Sequence, residues 1–291
     1  MKAPARRGSS FIVLLSLLLG SSCRETPAGA ITDDLNRPVV IPSRIERVVT
    51  LAPGLSEIVH AVGSAPLLVG TDDFSDFPAE IASLPKVGGI EPSRERIAQL
   101  RPDLVLASTS SMHPQLASAL ESMNVPLFAV RTDRLHEIGP AMSRIGEILG
   151  SPSADDARSE FERKLAAQRR ERASSPRVLF VIWAEPLYVA VPGTHLGDLI
   201  EWAGAANGAA SSSPQSLYSL ESVLENPPDL ILYPSKMDEP VALLSMLNAE
   251  DRRKKVTAHP VDEDLFMRPG PRLALAAAEI NRLVDAWEMA Q

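Results

Sequence analysis

The segment RERIAQLRPDLVL at residues 94–106 can be laid without a gap over LESVLENPPDLIL at residues 220–232. In each, a Glu (Glu95, Glu221) lies in the first turn of a short helical pattern, and a Pro-Asp-Leu turn then feeds an apolar run. A helix, a Pro-bounded turn and a short strand in that order make one step of a parallel α/β sheet. The recurrence of the step in each half of the chain predicts two equivalent lobes, with Glu95 and Glu221 at equivalent places.

The surrounding sequence extends the pattern. Short apolar runs at 47–52, 67–70, 104–107, 127–130, 178–183, 230–233 and 257–261 read as strands. They alternate with helical spacing at 56–62, 93–100, 114–123, 137–149, 196–203, 220–225 and 272–288, which argues for α/β lobes built on parallel sheets. One stretch stands apart. From Ser153 to about Ala173 no turn residue intervenes, and Ala154, Ala157, Phe161 and Leu165 recur at helical spacing behind Ser153 as N-cap. This predicts a rigid strut of roughly 30 Å, at ~1.5 Å per residue. Its basic end, Arg163, Lys164, Arg169, Arg170 and Arg172, suits a helix C-terminus. The expected organisation is a signal peptide at 1–22, a tether at 23–30, an N-terminal lobe at 31–150, a connecting helix at 151–175 and a C-terminal lobe at 176–291.

With 29 Lys+Arg against 37 Asp+Glu the chain carries a formal charge of -8, so it has no diffuse cationic surface for nucleic acid. A length of 291 residues, 45% of them apolar, suffices for a large core. The single Cys rules out an internal disulfide framework, and CxxC and HExxH patterns are missing. So are GxSxG, Walker and GxGxxG signatures, which argues against an enzyme. The rival catalytic reading is a hydrolase using Ser56, Glu57 and His60, adjacent in one helix and without a recognisable oxyanion loop. A metal site would have to combine His60, His113 or His195 with Asp or Glu. Neither a metal nor a resident cofactor is expected.

Lys2, Arg6 and Arg7 precede an apolar run at 11–19, and Gly20, Ser21 and Ser22 lead to Cys23. This is the layout of an export signal. The run spans roughly 14 Å of helix, short of the ~30 Å hydrocarbon core of a bilayer. Small residues directly before the only Cys resemble a bacterial lipobox, although Gly20 stands where Leu is usual. The expected location is outside the cytoplasm, in the periplasm, with a lipid on Cys23 as the only membrane attachment.

Several motifs then agree in order and spacing. RVVTLAPGLSEIVHAVG (47–63), LVGTDDFSDFPAEIASLPKVGG (68–89), PSRERIAQLRPDLVLAS (92–108), SLESVLENPPDLILYP (219–234) and PVDEDLFMRPGPRLALAAAEINRL (260–283) resemble helical-backbone substrate-binding proteins of ABC importers. Within that family the likeness is greatest to members that bind vitamin B12. The resemblance implies a monomer of two α/β lobes on one stiff helix, a ligand in the cleft between them, and transfer to the transmembrane subunits of an ABC permease. In such lobes the strand ends and following loops line the crevice, which places Pro53, Gly54, Leu55, Phe74, Phe77, Ile90, Trp183, Tyr188, Asp264, Arg268 and Arg272 around it. Phe74, Phe77, Trp183 and Tyr188 offer flat faces for a large ring, and packing in the core is the alternative role for each. Ile90 and Gln215 stand where the corrinoid binder has aromatic residues, with Tyr218 placed to compensate. Asp264 and Arg268 match the family's polar pair. Arg272 suits the carboxylates of a ferric siderophore or haem, or simply opens a helix. Glu95 and Glu221 match the lobe-tip glutamates that meet permease arginines, though a carboxylate there also offsets a helix dipole. The expected cargo is a corrinoid such as cobalamin, with haem or a ferric siderophore as the alternative.

Overall fold

The computed structural model describes residues 29–112, 114–209, 217–249 and 255–290. The signal segment, Cys23, His113 and Gln215 lie outside them. The first lobe runs β1 (Ala30–Thr32), β2 (Pro38–Val40), β3 (Val48–Thr50), α1 (Pro53–Ala61), β4 (Leu68–Thr71), α2 (Ala79–Ala82), α3 (Arg94–Gln99), β5 (Leu104–Ser108), α4 (Pro114–Ser122), β6 (Leu127–Val130) and α5 (Ile138–Leu149). After α6 (Ala154–Ala166) the second lobe runs β7 (Arg177–Trp183), β8 (Tyr188–Val189), α7 (His195–Trp202), β9 (Ala206–Asn207), α8 (Leu220–Glu225), β10 (Leu230–Pro234), α9 (Val241–Asn248), β11 (Thr257–Val261), α10 (Glu263–Phe266) and α11 (Leu273–Met289).

Both lobes use one topology. The first sheet has the order β4-β3-β5-β6, and in the second β7 is flanked by β9 and by β10, with β11 beyond. All these pairings are parallel. Each lobe therefore starts in the middle of its sheet and reverses direction beside its first strand, so β5 and β10 occupy corresponding places, as the sequence repeat predicts. The repeated helices share their start as well. Ser93 accepts from the backbone N–H of Arg96 and Ser219 from that of Ser222, each capping the helix that carries the glutamate.

Strand alternation divides the core into layers. Val48, Leu104, Leu106 and Phe128 of the first sheet, with Val178 and Phe180 of the second, join one core that runs through both lobes and is filled by α1, α5, α6, α7 and α11. The opposite faces, Val49, Val105 and Ala107 in one lobe and Leu179, Val181 and Ile231 in the other, pack under α3 and α4 or α8 and α9. Burial on both faces explains why the strands read as continuous apolar runs.

The strut differs from expectation. α6 ends at Ala166, about 20 Å of helix at ~1.5 Å per residue, whereas the sequence pattern predicts a helix to about Ala173. Competing partners stop it: Asn281 of α11 donates to the Gln168 carbonyl, and the Arg170 N–H and Arg172 Nε donate to the carbonyls of Trp202 and Ala203. α6 is also no isolated rod. Gly150, at φ 64°, closes a helical hairpin between α5 and α6, and a Cβ on Gly146 would lie 2.1 Å from that of Ala154, so glycine there permits the close crossing. Among the described residues no helix is long and apolar enough to cross a membrane.

Candidate functional site

In each sheet the chain reverses direction beside the first strand, and the carboxyl ends there form a crevice. From β3 the chain turns through Pro53, the first residue of α1, and from β7 it emerges at Trp183. The lobes meet on two sides of this region. On one, Arg134 grips Asp198 at 2.8 and 2.7 Å, and the His195 N–H donates to the Asp133 carbonyl at 2.8 Å.

The other side is a charged seam. Arg272 donates from Nε and Nη2 to the two carboxylate oxygens of Glu57 at 2.9 and 2.6 Å, and its guanidinium lies 4.1 Å from the centre of the Phe77 ring. Arg268 bridges Asp76 of the first lobe at 2.5 Å and Asp264 of its own lobe at 2.6 Å. Lys236 pairs with Glu263 at 2.7 Å and Asp264 at 3.2 Å. A Cβ on Gly54 would fall 2.1 Å from the Pro269 carbonyl oxygen, so only glycine lets the two backbones meet. Burial pushes the Glu57 carboxyl above its ordinary pKa while Arg272 opposes the shift, and the hydrogen bond from Arg268 holds Asp76 below its own.

A hydroxyl network pins the loop that carries Phe74, Asp76 and Phe77. Ser56 Oγ is 2.6 Å from Thr50 Oγ1 and 2.8 Å from Ser75 Oγ, and Ser75 donates to Asp72 at 2.5 Å. Lys86 donates to Thr71 at 2.9 Å and to the Ser75 carbonyl. Burial raises the pKa of the Asp72 carboxyl. The hydrolase trio is thereby dispersed. Ser56 belongs to this network, Glu57 to the seam, and His60 pairs with Glu80 at 2.9 Å. The Nε2 of His195 meets the Phe266 carbonyl at 3.0 Å, and no group of three metal-ligating residues gathers among the described residues.

An apolar pocket of about 1080 Å³ opens on the second lobe, walled by Trp183, Pro186, Leu217, Tyr218, Met237 and Val241 among others. Trp183 is 57% exposed, yet its ring is oriented by an N–H donated to the Glu185 carbonyl at 2.9 Å. Tyr188 sits opposite Trp183 in the β7–β8 pairing and bridges to Leu217, and the Tyr218 N–H donates to the Leu187 carbonyl. The fold thus gathers Trp183, Tyr188 and Tyr218 at one place, and Gly54, Phe77, Asp264, Arg268 and Arg272 at another, linked through Lys236. Phe74 is exposed and Ile90 is 80% exposed on the first lobe, outside the pocket walls. Leu55 is a correction. At 1% exposure its side chain packs into the core under α1 and does not face the crevice. Arg268 and Arg272, expected to face ligand, each donate to protein carboxylates, and Arg272 also donates to the Asp264 carbonyl.

Glu95 and Glu221 are exposed, each in the second position of its Ser-capped helix. Arg94 and Ser93 both donate to Glu95. Sequence reasoning placed the stretch 74–77 at the crevice without singling out Asp76, missed Lys236 and the pocket residues Leu217, Met237 and Val241, and weighed Glu57 only as a catalytic group. Asp76 carried one available signal, a carboxylate between the two crevice phenylalanines.

The sequence matches the model of a family described as periplasmic binding protein over residues 48–261. It is 28% identical over 242 residues to a vitamin B12-binding protein of Pectobacterium carotovorum subsp. carotovorum (strain PC1), covering 81% of this chain and 87% of that one. The periplasmic heme-binding protein RhuT of Roseiflexus sp. RS-1 in apo form is 26% identical and superposes with a TM-score of 0.71, over 85% of this chain and 100% of that one. The periplasmic vitamin B12 binding protein BtuF of Vibrio cholerae superposes with a TM-score of 0.72 at 24% identity, over 85% and 99%, a likeness of fold.

Proposed function

Because the chain belongs to the periplasmic binding protein family, a family of transport receptors and not of enzymes, we propose that it captures a corrinoid such as cobalamin and delivers it to an ABC permease. The observation that carries this reading is the large apolar pocket behind the exposed, oriented ring of Trp183, a surface suited to a broad macrocycle. Kinship with vitamin B12-binding proteins supports the same ligand class.

The seam favours a corrinoid over an anionic chelate. Three cations, Arg268, Arg272 and Lys236, face four carboxylates, Glu57, Asp76, Glu263 and Asp264, so the region presents no excess positive charge to a carboxylate ligand. The amide rim of a corrinoid needs none. A second reading, haem or a ferric siderophore, draws support from the likeness to a heme-binding protein and from Tyr218, which lines the pocket, with Tyr188 paired along the backbone to the lining residues Trp183 and Leu217, since phenolate is one of the groups that hold haem iron. Docking through Glu95 and Glu221, a lipid on Cys23, action as a monomer, and ligand contacts from Pro53, Phe74 and Ile90 belong to the same proposal.

Fluorescence titration with cyanocobalamin, hemin and ferric citrate tests it, with Trp183→Phe to assign the quenching. Saturable quenching by cyanocobalamin that is lost in Trp183→Phe supports the reading. Quenching by hemin or ferric citrate alone transfers the assignment to the second one.

A further inference from the structure

Unpaired arginines at a crevice attract carboxylates, and Arg268 and Arg272 would do so if nothing else held them. Here both are held from the opposite lobe. Resting on the corrinoid reading, we propose that Glu57 and Asp76 are specificity-determining residues: by occupying Arg272 and Arg268 they exclude carboxylate-bearing macrocycles from a cleft that would otherwise accept them.

The argument rests on geometry and exchange. Glu57 takes the two-pronged side of Arg272 and Asp76 takes Arg268, while Asp264 fills the second face of Arg268 and lends its backbone carbonyl to Arg272. The Phe77 ring covers Arg272. An incoming carboxylate must displace a carboxylate that the fold already positions, so it gains no new ion pair and leaves a protein carboxylate stranded. Until it does so it meets like charge, and such juxtaposition discriminates between ligands of one shape. An uncharged amide pays neither cost. The two residues differ in their second duty. Glu57, only 4% exposed, also ties the lobes together, whereas Asp76 is 58% exposed at the edge of the seam, which makes it the cleaner probe.

Zinc protoporphyrin IX and its dimethyl ester differ in the charge of their two carboxylates and in two added methyl groups, so the change that a substitution makes in their affinity ratio for the full mature protein separates charge from shape. In Asp76→Asn the diacid should bind about tenfold tighter than in wild type, with the ester gaining no more than about twofold. Adding Glu57→Gln should extend the gain. The proposal is overturned if the diacid gains nothing in Asp76→Asn, or if diacid and ester gain together. Should the Gln variant fail to fold by circular dichroism, Asp76→Asn decides alone. The corrinoid reading fails separately, if wild type prefers the diacid to cyanocobalamin. The selectivity role is read from the diacid-to-ester ratio, which must rise in the variant whatever the cargo.

Discussion

Arg272 and Glu57 face each other across the seam between the lobes, joined by hydrogen bonds of 2.9 and 2.6 Å with the Glu57 carboxylate almost wholly buried. Arg272 opens α11, a helix of the shared core, and Glu57 lies on α1 behind the first sheet. The pair therefore couples the charged seam to the helices that fill the space between the sheets. Any opening of the crevice on this side has to part these two residues.

Removing one partner strands a buried charge. Glu57→Ala and Arg272→Ala should each cost about 3 kcal/mol in urea unfolding, whereas the paired apolar replacement Glu57→Leu with Arg272→Met should cost much less than the sum. Additive losses would mean that the two residues act independently.

Gly54→Ala places a methyl group against the Pro269 carbonyl at 2.1 Å, and a backbone atom cannot swing aside. The expected loss is about 1–3 kcal/mol of stability, together with weaker ligand binding as the lobes are pried apart. Gly270→Ala meets nothing nearer than 3.2 Å and should be milder. Equal melting temperatures for wild type and Gly54→Ala would contradict the close approach.

His195 is buried, and burial lowers its pKa from the ordinary 6.5 although the hydrogen bond to the Phe266 carbonyl, then Asp198 and Asp133, pull it back up. Between the lowered value and about 6.5 the unfolded chain holds a proton that the folded chain does not. Stability should therefore fall as the pH drops through 6.5, by at most about 1.4 kcal/mol per pH unit from this group. His195→Gln can still donate to the Phe266 carbonyl and cannot titrate, so its melting temperature should decline less between pH 7 and 5. A decline as steep as that of wild type would assign the acid sensitivity to the carboxylates.

Reversing charge at both lobe tips, Glu95→Arg with Glu221→Arg, should abolish cellular uptake and leave ligand affinity within about twofold, because rim charges orient a partner without touching the pocket. Normal uptake by the double variant would remove these residues from the docking surface.

For Cys23 the measurement is fractionation. Cys23→Ser should move the mature protein from membranes into the soluble periplasmic fraction with ligand binding intact. A wild type already soluble would point to plain signal cleavage.

Much of the architecture was legible because parallel strands covered on both faces must be apolar throughout, and Pro-Asp turns and Ser caps mark their neighbours. The repeat at 94–106 and 220–232 foretold matching places for β5 and β10. The end of α6 was not legible. Its residues suit a longer helix, and the Asn281 side chain and the Trp202 and Ala203 carbonyls that stop it come from distant elements.

The chain alone determined the α/β class, the two-lobe repeat and the identity of the polar residues near the crevice, since these follow from local periodicity and from which side chains follow each strand. Only the tertiary structure decided what those residues face. From sequence Arg268 reads as half of a polar pair with Asp264 and Arg272 as a cation suited to a carboxylate ligand or a helix start, but the fold brings Glu57 and Asp76, some 200 positions away, within hydrogen-bonding reach. A charge is a property of one residue, while its neutralisation depends on distance and burial, and both are set when the lobes pack together.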